Sequence, residues 1–300
     1  MTALAPSEGY CRERGLRRKK LADWGRQLVL QARRWMPGRP LVLVADSGFS
    51  ALEFLAALLR QEVICVTRRR LDAALYRPAP PRRPGAVGRP RTKGARLPTL
   101  AEVLANGGTP WQRLAVPGWY GEGDRIVEIC SGCALWRHAG MPVVPIRWVL
   151  LRDPHRHFDP QALLCTDTAQ DPVQVVRWFV QRFVQRWRLE VTFREVRDHL
   201  GVETQRRWSD KAIARTTPCL LALFSIVALL ATRLDRHARL RVSATAWYRK
   251  ERPTFSDTLA AVRRQIWIEQ GLVTSRHSAE TAKLRPALRE GIALALCHAA

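Results

Sequence analysis

Apolar positions recur at helical spacing over residues 19–35, KKLADWGRQLVLQARRW, where Leu21, Trp24, Leu28, Ala32 and Trp35 share a face. Pro37 and Gly38 end the segment. The pattern then changes to a continuous β-branched run, LVLVA (Leu41–Ala45), as expected of a strand buried on both faces. Ser50 is placed to cap a helix over 51–60, with Glu53 completing a capping box, and VICVT (63–67) is a second buried-type strand. Residues 41–67 therefore read as a β-α-β unit, with Asp46 at the carboxyl end of its first strand, where open α/β sheets place their chemistry.

From Leu71 to about Pro145 the helical period is lost. Pro and Gly cluster in PAPPRRPGAVGRP (78–90), and short strand-like pieces follow: QRLAV, DRIVEIC and ALWRH. This stretch reads as a β-rich insertion behind an exposed basic loop. Gly88-Arg89-Pro90-Arg91 has the core of an AT-hook, a minor-groove binder, or else is a solvated Pro/Arg loop. Cys130-Ser-Gly-Cys133 reads as two short strands around a Ser-Gly turn. With no second CxxC, its thiols read as structural rather than zinc ligands. IRWVLLR (146–152) and 163–168 return to strand character. A helix over 172–200 follows, capped by Asp171, with Pro172 in its first turn and Gly201 closing it. The apolar run Cys219–Ala231 predicts a buried helix over 218–233 with Pro218 in its first turn, too short to span a bilayer. A further helix is expected over Asp257–Gln270.

Composition narrows the function. Lys and Arg number 50 against 26 Asp and Glu, a net charge of +24 and a pI of about 11.2. Apolar residues make up 47%, enough for a core, which excludes a disordered basic tail. Of the basic residues 44 are Arg and 6 are Lys, a skew that codon bias can produce; it does not produce the shortage of acids. An acidic partner is expected, nucleic acid first and an anionic membrane surface second. Seven scattered cysteines and the lack of an apolar leader segment point to a reducing, cytoplasmic setting.

One constellation carries chemistry. Phe183, Arg186, Glu190 and Arg197 fall within about 60° of one another on the long helix, at roughly 100° per residue. A surface ion-pair stripe gives the same spacing. However, Trp187, Leu189, Val191, Phe193 and Val196 flank the stripe, which favours a phosphate-and-metal site.

The segment FVQRWRLEVTFREVR resembles the Tyr-Arg-Glu-Lys signature of bacterial insertion-sequence transposases of the DDE superfamily, with Phe183 for Tyr and Arg197 for Lys. VADSGF around Asp46, GRPRTKGARLPTL, PIRWVLLRDP and GVETQRRWSDKAIARTTPCLLALFS are also similar to that family, from about residue 10 to 235. The resemblance implies an RNase H-like α/β core in which carboxylates hold two Mg²⁺ or Mn²⁺ ions for attack on a phosphodiester. Asp46 and Glu190 would be the catalytic metal ligands. Arg186 and Arg197 would clamp DNA phosphates, with Phe183 beside the same strand. Arg89 and Arg91 would contact DNA from the basic loop. Trp119, Trp111 or Trp136 would stack on a flipped base or else pack in the core.

The implied organisation is a partial core over 1–70, a β-rich insertion over 71–145, the rest of the core with the Glu helix over 146–235 and a basic helical region over 236–300. The family's first catalytic Asp precedes the second by three strands. Only 45 residues precede Asp46, and their one Asp, Asp23, lies in a helix. The chain is therefore expected to be N-terminally truncated and inactive alone. The implied partners are transposon-end and target DNA and further copies of the chain on paired ends. No membrane role is expected, and the location is cytoplasmic at the nucleoid. The alternative is a non-catalytic, transposase-derived DNA-binding protein.

Overall fold

The computed structural model describes residues 8–82, 84–85, 87–119, 123–203, 210–236, 250, 253–270 and 285–298. The chain divides into two compact units, one within residues 3–188 and the other within 189–300.

The first unit opens with α1 (Glu8–Glu13) and α2 (Leu21–Trp35). Then come β1 (Leu41–Ala45), a 3-10 turn (Ser47–Phe49), α3 (Leu52–Leu59) and β2 (Val63–Arg69), the β-α-β unit read from the sequence. β1 and β2 run parallel, Leu41 opposite Val63 and Ala45 opposite Thr67. The helix starts later than expected, however. Its N-cap is Ala51, with no side-chain cap, while the Ser50 hydroxyl is buried without a hydrogen-bond partner among the described residues. Ser50 ends the 3-10 turn instead of starting the helix, so the capping box does not form.

The 71–145 stretch holds β3 (Leu75–Tyr76), α4 (Leu100–Ala105), β4 (Gln112–Val116) and β5 (Arg125–Trp136). β6 (Val144–Arg152) and β7 (Gln161–Cys165) follow. All strands join one seven-stranded mixed sheet in the order β1-β2-β7-β6-β5-β3, with β4 also paired to β5. This curled mixed sheet with helices is compatible with an α/β DDE nuclease-like fold.

The CSGC segment corrects the sequence reading, since β5 passes straight through it as one 12-residue strand. Gly132 lies opposite Trp148 on β6, and a Cβ there would come within 2.7 Å of the indole. The glycine makes room for a cross-strand ring rather than a turn. Cys130 and Cys133, three apart on a strand, face opposite sides of the sheet and cannot hold one ion.

One sheet face, with Cys65, Leu75, Trp136, Ile146 and Leu164, packs under α3 and Leu100 of α4. The other, with Val66, Ile129, Val149, Leu151 and Leu163, packs against Val175, Val176, Phe179 and Val180 of α5 (Pro172–Leu200). Asp171 starts α5 as expected: its carboxylate accepts the Val173 N–H at 3.2 Å. Gly201, at φ +73°, ends it.

Burial pushes the Cys65 thiol up to about 12, helped by Cys165, and burial likewise pushes Cys165 up to about 11. A thiol with a raised folded pKa is protonated longer in the fold than in the unfolded chain, so its contribution is intact below about pH 8.5 and is lost above it. Unfolding free energy should fall between pH 9 and 11 by up to about 1.4 kcal/mol per pH unit for each thiol. Urea titrations of the wild type and of Cys65→Ala/Cys165→Ala would read this; a variant with the same pH slope would contradict it.

The second unit contains α6 (Asp210–Arg236), α7 (Phe255–Gln270) and α8 (Pro286–His298). Val227 and Leu234 of α6 pack with Leu259 and Val262 of α7. α6 departs from the sequence reading twice. It begins at Asp210, so Pro218 lies inside it. Its apolar stretch is Ala214–Leu234, 21 residues, mostly not buried and long and apolar enough to cross a membrane. Leu223, Ile226 and Leu229 are exposed, so this is not the buried core helix expected. The sequence count stopped at the Cys219–Ala231 run; the helix carries the pattern across Arg215 and Arg233 at its ends. α7 starts at Phe255, two residues early, because Asp257 accepts the Thr254 N–H at 2.9 Å from the third helical position.

Candidate active site

Asp46 stands where the sequence places it, at the carboxyl end of β1 and half-buried. Two bonds fix it. Its carboxylate Oδ1 accepts the Gly48 N–H at 2.9 Å, and its carbonyl accepts the buried Thr67 hydroxyl at 2.6 Å. The first aims the carboxylate; the second ties the end of β1 to β2. The turn is also wedged from α2, where Gly25 faces Phe49 and a Cβ would sit 2.5 Å from the ring. Phe49 in turn packs on Phe54 of α3, with centroids 5.5 Å apart. Gly25→Val should therefore displace the Asp46 turn and cost about 2 kcal/mol, as overpacking does. A urea melt indistinguishable from wild type would show that the wedge does not exist.

α5 is continuous from Pro172 to Leu200, and Glu190 and Arg197, seven residues apart, lie on one face of it. The side chains of Phe183 and Arg186 lie outside the described residues. Glu190 is exposed. The apolar flanks expected to bury this stripe do so in part: Val196 is buried, whereas Leu189, Val191 and Phe193 are exposed.

Arg197 has a partner that the sequence did not announce. After Gly201 the chain turns back, the Val202 N–H reaching the Val196 carbonyl at 3.3 Å. Glu203, at φ +67°, then accepts from Arg197 Nε at 2.8 Å and pairs with its terminal nitrogen at 2.7 Å. Both side chains are exposed, so the pair contributes at most about 1 kcal/mol and a phosphate can displace the Glu. If Arg197 grips DNA, Glu203→Ala should tighten duplex binding about two- to fivefold. Weaker binding by the variant would contradict that role.

Arg89 and Arg91 are exposed in the loop after β3. The base of that loop is closed: the Arg77 N–H donates to Ala95, Gly94 to Arg77 and Leu97 to Leu75. Gly94 is required there, because a Cβ would meet the Pro78 carbonyl at 2.4 Å. Lys93 lies 3.3 Å over the Tyr76 ring, and its hydrogen bond draws the phenol down from its usual range.

Trp119 is 3% exposed, stacked on Phe158 at 5.0 Å, and Trp136 is equally buried, so both rings are core residues in this structure. Trp111 is half-buried, with the Arg152 guanidinium 3.9 Å over its ring. A second polar cluster had no sequence signal. Asp153, buried, is 3.1 Å from His157 Nδ1 and accepts the His155 N–H at 2.7 Å. Burial raises its carboxyl, but those bonds outweigh it and the net shift is downward.

Carboxylates such as Asp46 and Glu190 suit hard divalent cations. Among the described residues, however, no three metal-ligating side chains come together. Asp46 lies in the first compact unit and Glu190 in the second.

No curated protein matches the chain. Residues 4–120, less than half of its length, match the family described as DDE superfamily endonuclease, a match that includes the Asp46 turn and supports a DDE transposase-like family acting on DNA.

Proposed function

We propose that this chain derives from an insertion-sequence DDE transposase of the Tyr-Arg-Glu-Lys signature group. In this reading Asp46 and Glu190 are its metal-binding catalytic carboxylates, and Arg186, Arg197, Arg89 and Arg91 hold DNA. The observation that carries it is the family match across an Asp held at the carboxyl end of the edge strand β1 by its own turn. Phe183 and Arg197 stand for the signature Tyr and Lys, and residues 71–145 are the β-rich insertion. Bound Mg²⁺ or Mn²⁺ would lower the pKa of the attacking water or 3′-hydroxyl and stabilise the leaving oxygen. Two assigned carboxylates hold two cations poorly, so the chain alone binds DNA without cleaving it. Its substrate is transposon-end DNA held by paired copies in the cytoplasm, at the nucleoid.

A second reading is a non-catalytic DNA-binding protein of the same descent, favoured by the lack of a three-ligand cluster among the described residues. Mobility shift and Mg²⁺- or Mn²⁺-dependent nicking of one duplex, run in parallel, test both. Nicking abolished by Glu190→Gln would establish catalysis and refute inactivity. Nicking that survives Glu190→Gln would remove Glu190 from the site. The exposed apolar face of α6 makes vesicle flotation a useful third arm: lipid binding without salt-sensitive DNA binding would overturn both readings.

A further inference from the structure

The first unit contains a cleft of about 540 Å³ unrelated to α5. Four cations line it. Arg17, Lys20 and Arg26 come from the approach to α2 and its first turns, and Arg60 comes from the end of α3. Phe54 and Pro142 supply apolar wall. The cleft has two acids, Asp23 and Glu53, and Asp23 is already engaged. It accepts the Lys20 N–H at 3.1 Å and pairs with Arg26 at 3.6 Å.

Among the described residues, Arg17, Lys20 and Arg60 have no acidic partner. Arg60 donates only to the Ala56 carbonyl, at 3.2 Å. Other exposed arginines of this unit are paired with acids, for example Arg70 with Asp72 and Arg113 with Glu128. The N-terminus of the 15-residue α2 opens on the same cleft, where Asp23 accepts the Lys20 N–H, and the helix dipole adds partial positive charge. A concave wall concentrates this field, and bringing like charges together is unfavourable unless an anion occupies the space between them.

We propose that this cleft binds phosphates of a DNA strand, as a contact separate from Asp46 and the α5 face. The inference rests on DNA being the substrate. Lys and Arg suit it because their charges neutralise phosphates whatever the base sequence. The apolar wall of Phe54 and Pro142 lies beside them, where sugar carbons of a backbone would rest. The sequence hides the site because Arg60 is forty residues from Lys20.

The test is anisotropy of a labelled duplex with the full chain, titrated with salt. Arg17→Ala/Lys20→Ala/Arg60→Ala should weaken binding at least about tenfold and reduce the salt slope by about 2 to 3. Arg17→Lys/Arg60→Lys should keep the slope. Arg70→Ala, which removes a paired cation, should change affinity less than about twofold. A thermal melt checks that the triple variant is folded; these side chains are exposed or half-buried, and none is in the core. An unchanged slope in the folded triple variant overturns the proposal. Inorganic triphosphate binding that the triple variant loses, with the DNA slope unchanged, overturns it too, by making the cleft a free-phosphate site. A wild type with no salt-sensitive DNA binding defeats the underlying DNA reading instead, and so is distinguishable.

Discussion

Raising salt from 50 to 200 mM should weaken duplex binding by this chain about a thousandfold. The net charge of +24 sets the expectation, but its distribution sets the size. Cations already paired, such as Arg70 with Asp72, release few counterions on meeting a phosphate. Arg89 and Arg91 on the loop, Arg17, Lys20 and Arg60 in the cleft, and Arg197 once released from Glu203 make about six contacts. Six contacts imply a slope of about −5 in log affinity against log salt, and a fourfold rise in salt then costs about three decades. Equilibrium anisotropy across that range measures it. A slope shallower than about −2 would mean that the excess charge does not face DNA and that codon bias explains the arginines.

Phe179→Ala should cost about 3 to 5 kcal/mol of unfolding free energy, enough to unfold a marginal domain at 37 °C. Phe179 is fully buried and packs with Val175, Val176 and Val180 against Val66, Val149 and Leu163 of the sheet. Its removal leaves a cavity that rigid strands cannot close, and the Arg68 guanidinium 5.4 Å from its ring loses its aromatic partner. The consequence reaches function because α5 also carries Glu190. Phe179→Leu, which keeps most of the volume, should cost less than about 1.5 kcal/mol. Urea unfolding of both variants separates packing from ring chemistry; a Phe179→Ala loss below about 1 kcal/mol would mean that α5 is not anchored there.

What the sequence revealed depended on how local the deciding interactions are. β1, α3 and β2 were legible because apolar runs of strand length flank an apolar helix, and QRLAV matches β4 residue for residue. β5 was not, since the ring that makes Gly132 a strand residue belongs to Trp148, sixteen positions on. The helix start at Leu52, with Ala51 as its cap, was missed because the Asp46 turn uses Ser50 for its own end. At the site, Asp46 could be placed from its strand alone. The hold of Glu203 on Arg197 could not, because it needs the left-handed turn through Gly201. The cations of the cleft come from distant stretches of chain, and only folding assembles them. The basic segment over 237–249 lies outside the described residues.

The proposed metal-binding role of Asp46 and Glu190 is tested most directly by titrating Mn²⁺ into the wild type, Asp46→Asn and Glu190→Gln by calorimetry. Each variant should lose at least about tenfold in affinity, because a cation site depends on its ligand count. Wild-type affinity in either variant would contradict it.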